Sequence, residues 1–311
     1  MTASTPSLPK ATPVPTATPV PDDVIKIDSV LVPIPVSVTD SDGRPISTLK
    51  VTDFELKIDG KPAEIAEYAR SSTPIRLAML FDNSSSVLIA RDFEREAAVR
   101  FFRRVIRPER DMAALFTVSD WTRLEQPMTR DVSVLTQAIS YIPEPKGATA
   151  LLDGIREVAE YLRSTSGRRV IVIVSDGEDT YSDLKTTLEG VVKSLQVSDC
   201  QVYVVNTKEF ENFKRTGVRG GNANTRTLTA ERRMAEITEQ TGGAVYSPID
   251  EDEMSAAFTQ IASELSQQYI LSYYPESETD KRGEFRSITV GVKGKPHLTV
   301  RTRKGYYVPK K

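Results

Sequence analysis

Four uninterrupted apolar runs, RLAMLF, MAALFTV, RRVIVIV and QVYVV, constrain this chain more than any other feature. None alternates apolar with polar residues, so none suits a sheet with one wet face; such runs belong to parallel strands covered on both sides. Between them, apolar residues recur at helical spacing. Phe93, Ala97, Phe101 and Val105 form one stripe, Leu151, Ile155, Val158 and Leu162 a second, and Leu184, Leu188, Val191 and Leu195 a third. Two later helices are expected over about 228–241 and 251–266. Strands alternating with covering helices predict an α/β domain over residues 74–268, doubly wound around a mostly parallel sheet.

The flanks read differently. Residues 1–22 are rich in Pro, Thr and Ala without hydrophobic periodicity, and predict a disordered tether of extended, polyproline-like character. VLVPIPVSVTD and FELKIDG then place apolar residues at every second position, separated by Asp-Gly turns, which indicates antiparallel strands. Near the other end QQYILSYYP, FRSITVGV and HLTVRTRKGYYVP are three more strand candidates. Neither group makes a comfortable sandwich alone. Because an α/β domain can be inserted into a loop of a host, the expectation is one small antiparallel β-sandwich built from residues 23–73 and 269–311. Two separate β caps are the alternative.

Charge and composition exclude several functions. The 311 residues carry 41 Lys and Arg against 43 Asp and Glu, a formal net charge of −2. A dedicated nucleic-acid binder would show a basic excess. No apolar run approaches the roughly 20 residues of a membrane-spanning helix. Cys200 is the single cysteine and His297 the single histidine, which rules out an internal disulfide, a cysteine-based zinc site and two-histidine zinc chemistry. The tether lacks the basic start and apolar core of a signal peptide. A tethered domain of this kind suits a secreted, periplasmic or cell-surface protein.

In open α/β sheets ligands gather at the carboxyl ends of the strands. The first apolar run ends in Asp82-Asn83-Ser84-Ser85-Ser86, and VIVIV ends in Ser175-Asp176-Gly177-Glu178-Asp179. The segment KGATALLDG contributes Thr149 just before a predicted helix. Oxygen-only donors of this kind suit a hard cation such as Mg²⁺, with Ca²⁺ or Mn²⁺ as alternatives. Each fragment also has a plain explanation. Asp82 to Ser86 would cap a helix beginning near Leu88, Thr149 would cap the next, and Asp176-Gly177 would turn the chain. Convergence of all three at one sheet edge favours a cation.

Asp82, Ser84 and Ser86 as D-x-S-x-S, Thr149 in GATAL and Asp176 in VSDGED together resemble the metal-ion-dependent adhesion site of von Willebrand factor type A (VWA) domains, over about residues 74–268. The flanking segments, from VPIPVSVTDSDGRP to RKGYYVP, are similar to those of bacterial members. The resemblance implies that Ser84 and Ser86 bind the metal directly, Thr149 in at least one state, and Asp82 and Asp176 directly or through water. Asn83, Ser85, Glu178 and Asp179 would shape the loops. It also implies a non-enzymatic adhesion module that recognises the Asp or Glu carboxylate of a protein partner through the cation.

Two other functions compete. In a structural scaffold the cation would only order loops. A metal-assisted hydrolase would need a general base, yet Ser84 lacks the G-x-S-x-G setting of a nucleophile and no P-loop or G-x-G-x-x-G is present. Lys214, Arg215, Arg219 and Arg226, in a polar segment read as a long loop over 211–226, would favour an acidic partner.

Overall fold

The computed structural model describes residues 31–70, 73–219, 224–275 and 283–308. The predicted tether over 1–22 lies outside them. The described chain opens with β1 (Val32–Thr39), β2 (Phe54–Ile58), β3 (Lys61–Ala63) and β4 (Glu67–Arg70). The α/β part follows as β5 (Ile75–Asp82), α1 (Arg91–Val105), β6 (Met112–Val118), β7 (Thr122–Thr129), α2 (Val132–Ser140) and α3 (Leu151–Arg163). It continues with β8 (Arg168–Ser175), α4 (Leu188–Val197), β9 (Cys200–Asn206), α5 (Lys208–Thr216), α6 (Thr225–Thr241), β10 (Val245–Tyr246) and α7 (Glu251–Gln267). Four short strands close the chain: β11 (Tyr269–Tyr273), β12 (Phe285–Val292), β13 (Thr299–Arg301) and β14 (Gly305–Tyr307).

The four apolar runs become the centre of a six-stranded sheet ordered β10-β9-β8-β5-β6-β7, parallel except for β7. Alternate side chains of a strand serve opposite faces. Leu77, Met79 and Phe81 pack on Phe101 of α1 and Phe258 of α7. Ala78 and Leu80 pack on Ile155 and Val158 of α3 and on Met234 of α6. Edge strand β7 has no such apolar run; its sequence is polar, contains Pro127 and is only partly covered, as an edge tolerates. The third predicted stripe is corrected at one end. Helix α4 starts at Leu188, and Leu184 sits in the preceding loop, fully exposed to solvent.

The flanks pair with each other. One four-stranded sheet is ordered β13-β1-β11-β4 and the other β14-β12-β2-β3, so each contains strands from both sides of the α/β part. Their inner faces share one core that includes Ile34, Val36, Leu56, Leu271 and Ile288. HLTVRTRKGYYVP, expected as one strand, forms two in different sheets. Gly305 permits the second to pair closely with β12, since a Cβ there would meet the Arg286 carbonyl oxygen at 2.4 Å. Where α7 passes into β11, the buried Gln268 amide donates to Ser37 Oγ of β1 at 2.8 Å and to Gln201 Oε1 of β9 at 2.9 Å. Its Oε1 accepts from Arg168 Nη1 at 2.8 Å. A polar seam thereby joins the sandwich to the amino edge of the central sheet.

Candidate metal centre

Parallel pairing of β5 with β8, in which Phe81 faces Val174, delivers Asp82 and the Ser175-Asp176 pair to the same carboxyl edge. Ser175 Oγ donates to Asp82 Oδ2 at 2.6 Å. The other oxygen, Oδ1, accepts the Ser84 backbone N–H at 2.9 Å and turns the chain abruptly. A single 3₁₀ turn over Ser85–Val87 follows, and Ser84 Oγ lies 3.0 Å from Ser86 Oγ. Asp82, Ser84 and Asp176 are buried, while Ser86 is exposed.

The capping explanation fails on both fragments it could serve, while Asp176-Gly177 does turn the chain. Ser84 makes no side-chain cap bond to the 3₁₀ turn, α1 begins only at Arg91 behind Ala90, and Ala150 rather than Thr149 occupies the cap of α3. The Ser84 hydroxyl is therefore free of helix-capping duty.

Backbone hydrogen bonds knit the three loops together. Lys146 N–H donates to the Asn83 carbonyl at 2.9 Å, and Ser85 N–H to the Gly147 carbonyl at 3.3 Å. The Thr149 carbonyl accepts from Thr180 and Tyr181 N–H at 2.8 and 2.9 Å. Gly177, at φ +78°, lets the Asp176 loop pass α6, where a Cβ would press on Met234 and Ala230 at 3.2 and 3.3 Å. Asp176 Oδ1 accepts Glu178 N–H at 3.0 Å. Asp176 Oδ2 is buried with no hydrogen-bond partner, and the Lys208 ammonium stands 3.7 Å away while donating to Glu178 Oε1 at 2.8 Å.

The family assignment rests on the same stretch of chain. Residues 77–260 match the von Willebrand factor type A domain. The chain belongs to the VWA family. A search of curated proteins returned no match. Among solved structures, this VWA chain is similar to the PilB minor pilin from Streptococcus sanguinis, at 14% identity and a TM-score of 0.49. That likeness covers 63% of this chain and 62% of the pilin, so the chain spans less than two thirds of its length. BatB from Bacteroides thetaiotaomicron matches at 15% identity and a TM-score of 0.45, over 61% of this chain and 98% of that one. The SpRpn10 VWA domain matches at 16% and 0.43, over 60% and 94% respectively.

The VWA edge is electrostatically unsatisfied. Burial, and next the neighbouring Asp176 carboxylate, push the Asp82 carboxyl up to about 6 against the opposing hydrogen bonds of Ser175 and Ser84. Two more carboxyls lie behind it. Glu211 of α5 is pushed up to about 8 by burial and then by Asp176. Burial also drives Glu94 of α1 well upward, and both of its oxygens are buried without hydrogen-bond partners. Arg91 offers partial compensation, 3.9 Å from Glu94 and donating to the Asp82 carbonyl at 3.3 Å. Sequence reasoning missed Glu94, Glu211 and Lys208, because charged residues on amphipathic helices ordinarily mark a solvated face.

Among the described residues no group of three His, Cys, Asp or Glu side chains could hold a metal. A cation here would rest on carboxylates and hydroxyls together. The residues fit one: an orphaned carboxylate oxygen, two hydroxyls side by side and a repelling carboxylate pair meet at one edge. The remaining loop residues divide. Asp179 Oδ1 accepts from Ser182 Oγ at 2.6 Å and so shapes its loop, Asn83 Oδ1 is buried without a partner, and Ser85 is exposed.

The long basic loop expected over 211–226 is largely helix instead. Phe210 of α5 is fully buried, and Lys214 donates to Glu251 at 2.7 Å while lying over the Phe93 ring at 4.5 Å. Residues 220–223 lie outside the described residues, and Arg226 belongs to α6.

Proposed function

We propose that this VWA chain is a non-enzymatic protein-binding module, in which a divalent cation at the carboxyl edge of the sheet bridges to an Asp or Glu of a partner. Mg²⁺ is the first choice, with Ca²⁺ or Mn²⁺ as alternatives. Asp176 Oδ2, buried and without a hydrogen-bond partner, carries the reading. Asp82, Asp176, Ser84, Ser86 and Thr149 would hold the ion. When bound, it would supply positive charge that two carboxylates and neutral hydroxyls leave incompletely shielded. Asp82 and Asp176 would be the only charged ligands, the serines would add oxygens without charge, and Lys208 holds the Asp176–Glu178 loop in place.

A purely structural cation is the weaker reading, since the three loops are already joined through Asn83, Gly147 and Thr149 backbone bonds. Hydrolysis has less support still. The Ser84 and Ser86 hydroxyls bond to each other and not to a base, and His297 lies in a turn beside β13. Among the described residues no helix is long and apolar enough to cross a membrane. With the Pro-rich N-terminal segment, we place the protein outside the cytoplasm, secreted, periplasmic or on the cell surface.

The test is Mg²⁺ calorimetry on the full chain, paired with capture of envelope proteins by wild type and by Asp82→Ala. Heat of binding and Mg²⁺-dependent capture are expected for wild type and absent from the variant. Capture unchanged by both Asp82→Ala and a chelator would sink the proposal.

A further inference from the structure

Four exposed apolar side chains stand on the loops that leave the carboxyl edge. Trp121 is 62% exposed, Tyr181 62%, Leu88 57% and Leu184 100%. Large apolar groups scattered singly on a surface need no explanation, but a contiguous cluster marks an interaction site. These four are tied to the metal loops. Leu88 follows Ser86 by two residues. Tyr181 donates its N–H to the Thr149 carbonyl at 2.9 Å. Trp121 sits in the β6–β7 turn, whose Asp120 accepts Ala148 N–H at 2.7 Å and whose Ser119 carbonyl accepts Ala150 N–H at 2.7 Å, on either side of Thr149.

The exposure of Leu184 is built in. Asp153 at the start of α3 anchors the loop around it: Oδ2 accepts Asp183 N–H at 2.8 Å and Oδ1 accepts Thr186 Oγ1 at 2.6 Å. Ser182 Oγ adds a bond from Asp153 N–H at 3.1 Å. A loop pinned this firmly around a fully exposed leucine is pre-organised to present it. Lys214, which would have attracted an acidic surface, is meanwhile occupied by Glu251.

We propose that this edge selects a partner segment in which one carboxylate is flanked by apolar side chains. The collar of Leu88, Trp121, Tyr181 and Leu184 offers apolar area for the flanks, with the aromatic anchors that dominate binding hot spots. The proposal rests on the cation-bridging reading above.

Trp121 is the only tryptophan, so its emission reports directly from the collar. The full chain is titrated with three short synthetic peptides carrying one central Glu, flanked by Leu and Phe, by Ser and Gly, or by Asp. Titrations are run in Mg²⁺ and in chelator, and followed by Trp121 emission and peptide anisotropy. The Leu/Phe peptide is expected to shift Trp121 emission to the blue in Mg²⁺ only. It should bind about tenfold more tightly than the Ser/Gly peptide, the order expected from burying one apolar side chain. Tyr181→Ser and Leu184→Ser, both at exposed positions, should each remove most of that preference without changing Mg²⁺ affinity. Equal, Mg²⁺-dependent binding of all three peptides would overturn the collar and leave cation bridging intact. Binding that survives the chelator would overturn cation bridging. Silence from all three peptides would count against both.

Discussion

The two edges of the central sheet treat a buried carboxylate in opposite ways. At the amino edge, Asp111 precedes β6 and every lone pair is used. Oδ1 accepts Ile75 N–H at 2.8 Å and Arg107 Nη2 at 3.1 Å, while Oδ2 accepts Arg107 Nε at 2.6 Å and its N–H at 3.1 Å. Burial raises its carboxyl, but those bonds more than reverse the effect and hold it below the ordinary range. At the carboxyl edge, Asp82 and Asp176 face each other, one carboxyl is pushed up to about 6, and one buried oxygen has no hydrogen bond. The fold can satisfy a buried carboxylate with its own groups where only stability is at stake. Where it leaves one wanting, the missing charge is expected from outside.

The largest test of this contrast is Asp111→Ala. It strands the Ile75 N–H and removes the bidentate partner of Arg107, which is itself partly exposed. A loss of about 3 kcal/mol in urea unfolding is expected, with no change in Mg²⁺ affinity. A loss below about 1 kcal/mol would show that the amino edge is not the satisfied one.

Next comes pH. The Asp82 carboxyl is raised from 3.8 to about 6, so the folded chain keeps that proton after the unfolded chain has released it. Its contribution to stability is present below about 4 and is lost as pH rises through about 6. Asp111 runs the other way, contributing above its ordinary value and losing that contribution as pH falls through the lowered one. Glu94 and Glu211 share the sign of Asp82, so the informative quantity is wild type minus Asp82→Asn. In chelator, Asp82→Asn should gain on wild type by on the order of 2 kcal/mol between pH 4 and 7. Saturating Mg²⁺ should reverse that ranking at neutral pH. A difference that stays flat with pH would remove the repelling pair from the account.

Much of this contrast is legible in the sequence, because it follows from strand register. Uninterrupted apolar runs identified β5, β6, β8 and β9, and parallel strands present their following residues at one edge; Asp82 and Asp176 meet there through pairing alone. What stayed hidden depends on tertiary placement. Leu184 keeps helical spacing with Leu188, yet Asp153 holds its loop off the helix. Polar β7 gives no strand signal in the sequence, because an edge strand needs no apolar run. The split of the last strand into β13 and β14 follows from close approach at Gly305. Glu94 and Glu211 look like surface charges in the sequence, yet both are buried.

The smallest expected effect separates hydroxyls that serve the cation from hydroxyls that merely bond each other. Ser86 is exposed, and its side chain meets only Ser84 Oγ, at 3.0 Å. Ser86→Ala removes one partner of the buried Ser84 hydroxyl, so in chelator it should cost no more than about 1 kcal/mol. Against the Asp111 edge, such a substitution is mild. If the Ser86 oxygen is a neutral ligand, the same change should weaken Mg²⁺ binding by about 1 kcal/mol, roughly fivefold in Kd, because a charge-assisted contact is lost without any change in net charge. The pH behaviour of Asp82 should remain, since the carboxylate pair is untouched. Calorimetry that gives the same Kd for Ser86→Ala and wild type would reduce the serine pair to a local hydrogen bond, leaving the two carboxylates alone to account for the unsatisfied edge.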